Sequence, residues 1–216
     1  MTGAMTKDKE RAPYQSTLRA RHKEQTSQLI LDSVAAIIRR ADLAAVSIAE
    51  VARVADVTER TVYRHYETRD DLIRAFIKWH LDQSLGGPQI VLVQTIEELL
   101  AWFGRRCKTW EEDHRIVTET YLSPLGRDLR RPLYEYARDN NEKLIDREIP
   151  GLDGDIRRDL AAAIVTLMST ENFVFLRQNL GYSPEQIYRS AISAIRSMLQ
   201  GARLTAAASG QSGSET

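Results

Sequence analysis

The stretch "SIAEVARVADVTERTVYRHYETRDDL", from Ser47 to Leu72, constrains the fold more than any other part of the chain. Ser47 and Glu50 make a capping box, in which the serine accepts from the amide near Glu50 and Glu50 reaches back. Ile48, Val51, Ala52 and Ala55 follow at i, i+3, i+4 and i+7, the buried stripe of a short helix. Thr58 caps a second short helix, Glu59 to about Tyr66, and Thr68 caps a longer one over 68–83. Helices below roughly 12 residues are marginal alone in water, so the two short ones need a scaffold. Two such helices with a three- or four-residue break between them describe a helix-turn-helix.

The second short helix carries unusual chemistry. Val62 and Tyr66 are four apart and face inward, which leaves Arg60, Thr61, Arg64 and His65 on a different face. Arginine can bond guanine O6 and N7 bidentately, and threonine can offer its methyl to thymine or its hydroxyl to phosphate. A groove-reading helix fits this face. A helical hairpin with a solvated polar side fits it too, and His65 also suits a packed polar position at a helix end.

The rest of the chain also reads as helix, so the expected class is all-α. Ile30, Val34, Ile37, Ile38 and Ala41 stripe a first helix over about 22–40. Leu72, Ala75, Phe76 and Trp79 stripe the fourth, and "GGP" at 86–88 breaks it. Thr95 and Glu98 form a capping box before "LLAWFGRRCKTW". Further helices are expected over 114–122, 128–147 and 156–179. "SPEQ" at 183–186, with Ser183 at the cap and Pro184 at the first helical position, opens a last helix to about Leu204.

Residues 22–76 resemble the DNA-binding domain of TetR-family transcriptional regulators. The likeness rests on the "ILDSVAAII" core, then "SIAEVARVADV", then "TERTVYRHYETRDDLI". Asp56 stands where that family's turn usually has glycine, at a position needing left-handed or near left-handed backbone, which aspartate tolerates better than most residues. Tyr66 replaces a usual phenylalanine, Arg69 a usual lysine, and Ala41 a frequent glycine. The resemblance implies that Ser47 and Tyr63 touch phosphates and that Thr58, Arg60, Thr61, Arg64 and His65 face the groove. It also implies a phosphate contact from Arg69. The roles of Arg60 and Arg64 rest mainly on their own chemistry.

The same resemblance implies a homodimer and a small-molecule pocket. The stripes of 156–204 are broad, and Leu167, Phe175, Ile192, Ile195 and Leu199 are the candidate dimer residues; a monomeric core accounts for the same stripes. Trp102, Phe103, Trp110, Tyr121, Tyr134 and Tyr136 are the candidate ligand contacts, with plain core as the competing role. The expected organisation is a flexible basic arm over 1–18, a helix-turn-helix domain over 19–67, a helical ligand-binding and dimerisation domain over 68–204, and a disordered tail over 205–216. Within residues 1–23, six cationic side chains against two acidic ones can neutralise phosphates, although the chain is neutral overall.

Composition narrows the function classes. One cysteine, Cys107, excludes an intramolecular disulfide framework and fits a reducing cytosol, so a cytoplasmic location is expected. No secretory signal or membrane-length apolar run is visible. Cys107 has no evident base, and Glu111 and His114 make only two ligands where a metal needs three or more. There is no phosphate-cradling glycine loop. The expectation is therefore no enzyme, no metal and no cofactor. Together with these exclusions, the resemblance implies a repressor that binds a palindromic double-stranded DNA operator as a homodimer and is released by a small, largely apolar effector. The alternative is a helical adaptor that binds another protein.

Overall fold

The computed structural model describes residues 11–84 and 93–212. The first ten residues of the expected arm, the expected break at 86–88 and the end of the tail lie outside the described residues. All regular elements among the described residues are helical. The chain divides into two compact units, Met1–Phe76 and Ile77–Thr216, with the division inside the fourth helix.

The first unit contains α1 (Arg11–Arg40), α2 (Ile48–Val54), α3 (Glu59–His65) and the start of α4 (Arg69–Ser84). α1 begins at Arg11, well before residue 22. Pro13 lies in the first turn, where a missing N–H costs no helical bond, and no breaker follows it. Ile30, Val34, Ile37 and Ile38 of α1 are buried together with Val51 of α2, Val62 of α3, and Leu72 and Phe76 of α4. Each such burial stabilises by about 1.5–3 kcal/mol. That burial supplies the scaffold the two seven-residue helices need. Ala55, expected on the α2 stripe, is instead its half-buried C-cap.

The second unit contains the rest of α4, then α5 (Ile96–Glu112), α6 (His114–Ile116), a π-helical turn (Val117–Tyr121), α7 (Pro124–Glu148), α8 (Gly154–Leu167), α9 (Thr170–Asn179) and α10 (Pro184–Ser212). α5 buries Leu99, Leu100, Phe103, Cys107 and Trp110 and packs against α10, while α7 packs along α8. A Cβ on Gly104 would come within 2.9 Å of the Tyr188 ring, so the missing side chain lets α5 and α10 approach closely. Ser183 and Gln186 cap α10 reciprocally, as their spacing predicts: Gln186 N donates to Ser183 Oγ at 3.3 Å, and Ser183 N donates to Gln186 Oε1 at 2.8 Å.

Three further expected boundaries differ. α7 starts at Pro124, because Ser123 caps it and Pro124 suits the first helical position. The single helix expected over 156–179 is two helices bent by 49°. Ser169 takes extended backbone and accepts from Asn172 N at 3.1 Å, while the Asn172 side chain donates back to Leu167 O at 2.9 Å. α10 continues beyond Leu204 to Ser212, carried by good helix formers at Ala206–Ala208. Among the described residues, no single helix is long and apolar enough to cross a membrane.

Candidate nucleic-acid interface and effector cavity

The first unit builds the candidate interface from its turns. Ser47 caps α2 by accepting from Glu50 N at 3.1 Å, as the capping box requires. The Glu50 carboxylate does not complete the box. It accepts from Arg40 and from Arg53 Nε at 2.8 Å, tying the end of α1 to α2. The Arg53 hydrogen bond, its charge and that of Arg40 outweigh desolvation and hold Glu50 below the usual carboxylate range. The break between α2 and α3 turns at Asp56, whose φ is +53°. This is the left-handed backbone expected where glycine would be easiest.

Thr58 caps α3 by accepting from Thr61 N at 3.2 Å, and the two threonine hydroxyls lie 2.9 Å apart. Val62 is fully buried, and Tyr66 reaches inward to a hydrogen bond with Ser27 Oγ at 2.8 Å. These anchors set the opposite face. Arg60 and Arg64 are exposed and form no ion pair among the described residues, and Tyr63 is 50% exposed. Ser47 and Thr58 are exposed, and Thr61 is half-buried.

His65 is half-buried, and its Nε2 has no hydrogen-bond partner among the described residues. Burial first, then the charges of Arg64 and Lys23, hold its imidazole below the usual range. A neutral ring at the end of α3 is the consequence. Arg69 is placed differently from the expectation. Its Nε donates to Val46 O at 2.6 Å and its Nη2 to Leu43 O at 2.7 Å, so the guanidinium fastens α4 to the loop before α2.

In the second unit, the expected ligand contacts divide. Trp102, Trp110 and Tyr134 line a cavity of about 80 Å³. Phe103 is fully buried core between Trp110 and Tyr188. Tyr121 is also fully buried, with its hydroxyl 2.7 Å from His80 Nδ1; the other ring nitrogen of His80 is 3.0 Å from Asp113. Tyr136 is 39% exposed on the surface. Leu81, Leu99, Leu133, Val165 and Met168 supply the apolar wall.

Two buried guanidiniums, Arg106 and Arg130, also line the cavity, and the aromatic reading missed both. Arg106 lies over the rings of Trp102 and Trp110, at 5.6 and 4.7 Å from their centroids. Its position was legible: Phe103, Arg106, Cys107 and Trp110 lie at i, i+3, i+4 and i+7, so an arginine occupies the buried stripe. Arg130 donates to Tyr121 O and to Glu171, which also accepts from the Tyr134 hydroxyl. Burial alone would raise the Glu171 carboxyl, but Tyr134 and Arg130 outweigh it and hold it below the usual range.

Burial pushes the Cys107 thiol up to about 12, which leaves a poor nucleophile. The Glu111 carboxylate is held by Arg177 at 2.9 and 2.8 Å. No group of three or more His, Cys, Asp or Glu that could hold a metal is gathered among the described residues.

The candidate dimer residues divide too. Ile192, Ile195 and Leu199 are at most 9% exposed within a single protomer, because the apolar stripe of α10 faces its own unit. Leu167 is half-buried, and Phe175 is 54% exposed.

Residues 30–76 match the family model described as "Bacterial regulatory proteins, tetR family". Among solved structures, the chain is similar to native NalD of Pseudomonas aeruginosa, the secondary repressor of the MexAB-OprM multidrug efflux pump. The TM-score is 0.60 at 16% identity, over 82% of this chain and 97% of that one. It is also similar to a transcriptional regulator from Rhodococcus sp. Rha1, with TM-score 0.59 at 18% identity, over 84% and 97%. At such identities the likeness is one of fold. The segment that matches the tetR family model, residues 30–76, is the one that holds the capped helices and the turn at Asp56.

Proposed function

We propose that the protein is a transcriptional repressor that binds a palindromic operator in duplex DNA as a homodimer and is released by a small, largely apolar ligand. One observation carries the DNA reading: α3, pinned by Val62 and a threonine cap, presents Arg60, Tyr63 and Arg64 outward, with both arginines free of ion pairs among the described residues. Arg60 and Arg64 are the candidate base readers, with Thr61 and His65 beside them. Ser47 and Tyr63 offer exposed hydroxyls to phosphates, and exposed Thr58 faces the groove. The family match over residues 30–76 supports the regulator class, and the repressor NalD supports the sign of regulation by analogy.

Dimerisation supplies the second reading head that a palindrome demands, with half-sites about 34–36 Å apart or a multiple of that. Exposed Phe175 on α9 and the small exposed residues Ser190, Ser193 and Ser197 on α10 leave surface for a second copy. The cavity of the second unit is the ligand site, and α4 is the element with residues in both units. The test is capture of bound genomic fragments followed by titration on the enriched sequence. Arg60→Ala and Arg64→Ala should each cost about 1–3 kcal/mol on that site and relax one base position. Tyr63→Phe should weaken all sequences alike. Unchanged affinity in all three variants, or retention on DNA with no salt dependence, would remove α3 from recognition and favour a protein-binding adaptor.

A further inference from the structure

The cavity of the second unit has a polar side that a purely apolar ligand would leave unused. Trp110 is 3% exposed and lines the cavity, and its indole N–H has no hydrogen-bond partner among the described residues. Indole nitrogen is a donor only, so an acceptor is the one group that can satisfy it. Buried donors left unpaired are rare in folded proteins, and each calls for an explanation.

The charge of the wall points the same way. Arg106 and Arg130 are in the lining; Arg130 is paired with Glu171, and no Asp or Glu is among the described lining residues. The Arg106 guanidinium lies 4.7 Å from the Trp110 ring centroid, so cation and orphan donor are neighbours. Burial lowers Arg106 to about 10, which still leaves it charged at neutral pH. A negative group beside a buried cation recovers solvation that burial removed. The rest of the wall is mostly apolar, with Leu99, Leu133, Val165 and Met168 beside Tyr134, Asn141 and Thr170.

We infer that the ligand is a small organic acid whose carboxylate takes the Trp110 N–H and the Arg106 guanidinium while its hydrocarbon body lies against the leucine, valine and methionine wall. This rests on reading the cavity as the ligand site and specifies the class of ligand. Size limits the body to a few carbons: the cavity is about 80 Å³, whereas an apolar cavity that takes benzene is roughly 150 Å³. A neutral amide satisfies the indole but brings no negative charge to the guanidinium. An amine brings a like charge to the side of the wall where Arg106 lies.

Butanoate, butanamide and 1-aminobutane therefore form a matched probe series. Each would be titrated into the full-length wild-type protein at neutral pH and constant ionic strength, by equilibrium dialysis and by tryptophan fluorescence. Trp102 and Trp110, two of the three tryptophans, are in the cavity wall and report occupancy. Butanoate should bind about tenfold or more tighter than butanamide, and 1-aminobutane weakest. Trp110→Phe should weaken butanoate and butanamide alike, and Arg106→Gln should abolish the preference between them. The wild-type series decides the matter even where a variant fails to fold. Equal binding of acid and amide, or tighter binding of the amine, overturns the acid assignment and leaves the cavity as a ligand site. Binding by none of the three overturns both. Butanoate preference with no change in operator affinity upholds the acid assignment and removes ligand release from the proposed function.

Discussion

Arg69 separates a role in DNA contact from a role in architecture. Replacement by methionine keeps the stem and deletes the fork. Two hydrogen bonds vanish, Nε to Val46 O at 2.6 Å and Nη2 to Leu43 O at 2.7 Å. Hydrogen bonds to charged groups contribute about 1.5–3 kcal/mol each when well shielded. The Arg69 side chain is 41% exposed, so water replaces part of that. Leu43 O also retains a bond from Val46 N at 3.3 Å. A loss of about 2 kcal/mol for the pair follows. Amides of α2 and α3 that exchange through opening of this region should then exchange about 30-fold faster, a difference hydrogen-exchange mass spectrometry resolves by peptide. If the guanidinium is committed to the carbonyls, the slope of log K against log salt for DNA binding stays at its wild-type value. Were Arg69 instead neutralising a phosphate, its replacement would reduce that slope by about 0.9. Unchanged exchange with a slope reduced by that amount would refute the architectural role and restore the phosphate contact.

Other outcomes are equally specific. Gly126→Ala would place a Cβ 2.2 Å from Thr120 O and 2.7 Å from Tyr121 O, both backbone atoms, and should cost about 1–3 kcal/mol in thermal unfolding. Glu171 titrates lower in the folded protein than its ordinary 4.5, so its contribution is present above that value and is lost as pH falls through the lowered one. Glu171→Gln should thus destabilise at neutral pH, and its gap to wild type should shrink below pH 4.5; a constant gap across that range would exclude the Arg130 pairing. Phe175→Lys should lower the mass in sedimentation while leaving the protomer folded, whereas Ile195→Lys should unfold it, since Ile195 is 0% exposed within one chain. Loss of dimer mass in a well-folded Ile195→Lys protein would return that residue to the subunit seam.

The reading of α3 from sequence was close because its determinants are local. Thr58 and Thr61, or Val62 and Tyr66, are three or four residues apart, and helix geometry alone brings them together. The caps at Ser47, Thr95 and Ser183 were legible for the same reason, and Asp56 advertised its turn by replacing glycine. The broken helix at Ser169 was overlooked because the apolar stripe runs through it, although "STEN" carries a serine cap.

Other assignments depend on neighbours that periodicity does not reveal. Glu50 chose Arg40, ten residues back, over the amide of its own cap, because a guanidinium offers a stronger bond than a backbone N–H. Arg69 met carbonyls 23 and 26 residues away, and Glu171 met Arg130 and Tyr134 across the space between α7 and α9. An apolar stripe announces that a helix face is covered but not by what; Ile192, Ile195 and Leu199 are buried within the single chain while Phe175 is exposed. Aromatic residues behave likewise: packing alone separated Trp102, Trp110 and Tyr134 at the cavity from Phe103 and Tyr121 in the core. Helix, cap and turn are determined within four or five residues of chain. Whether a side chain meets a carbonyl, a core or an empty space is decided only when distant segments pack.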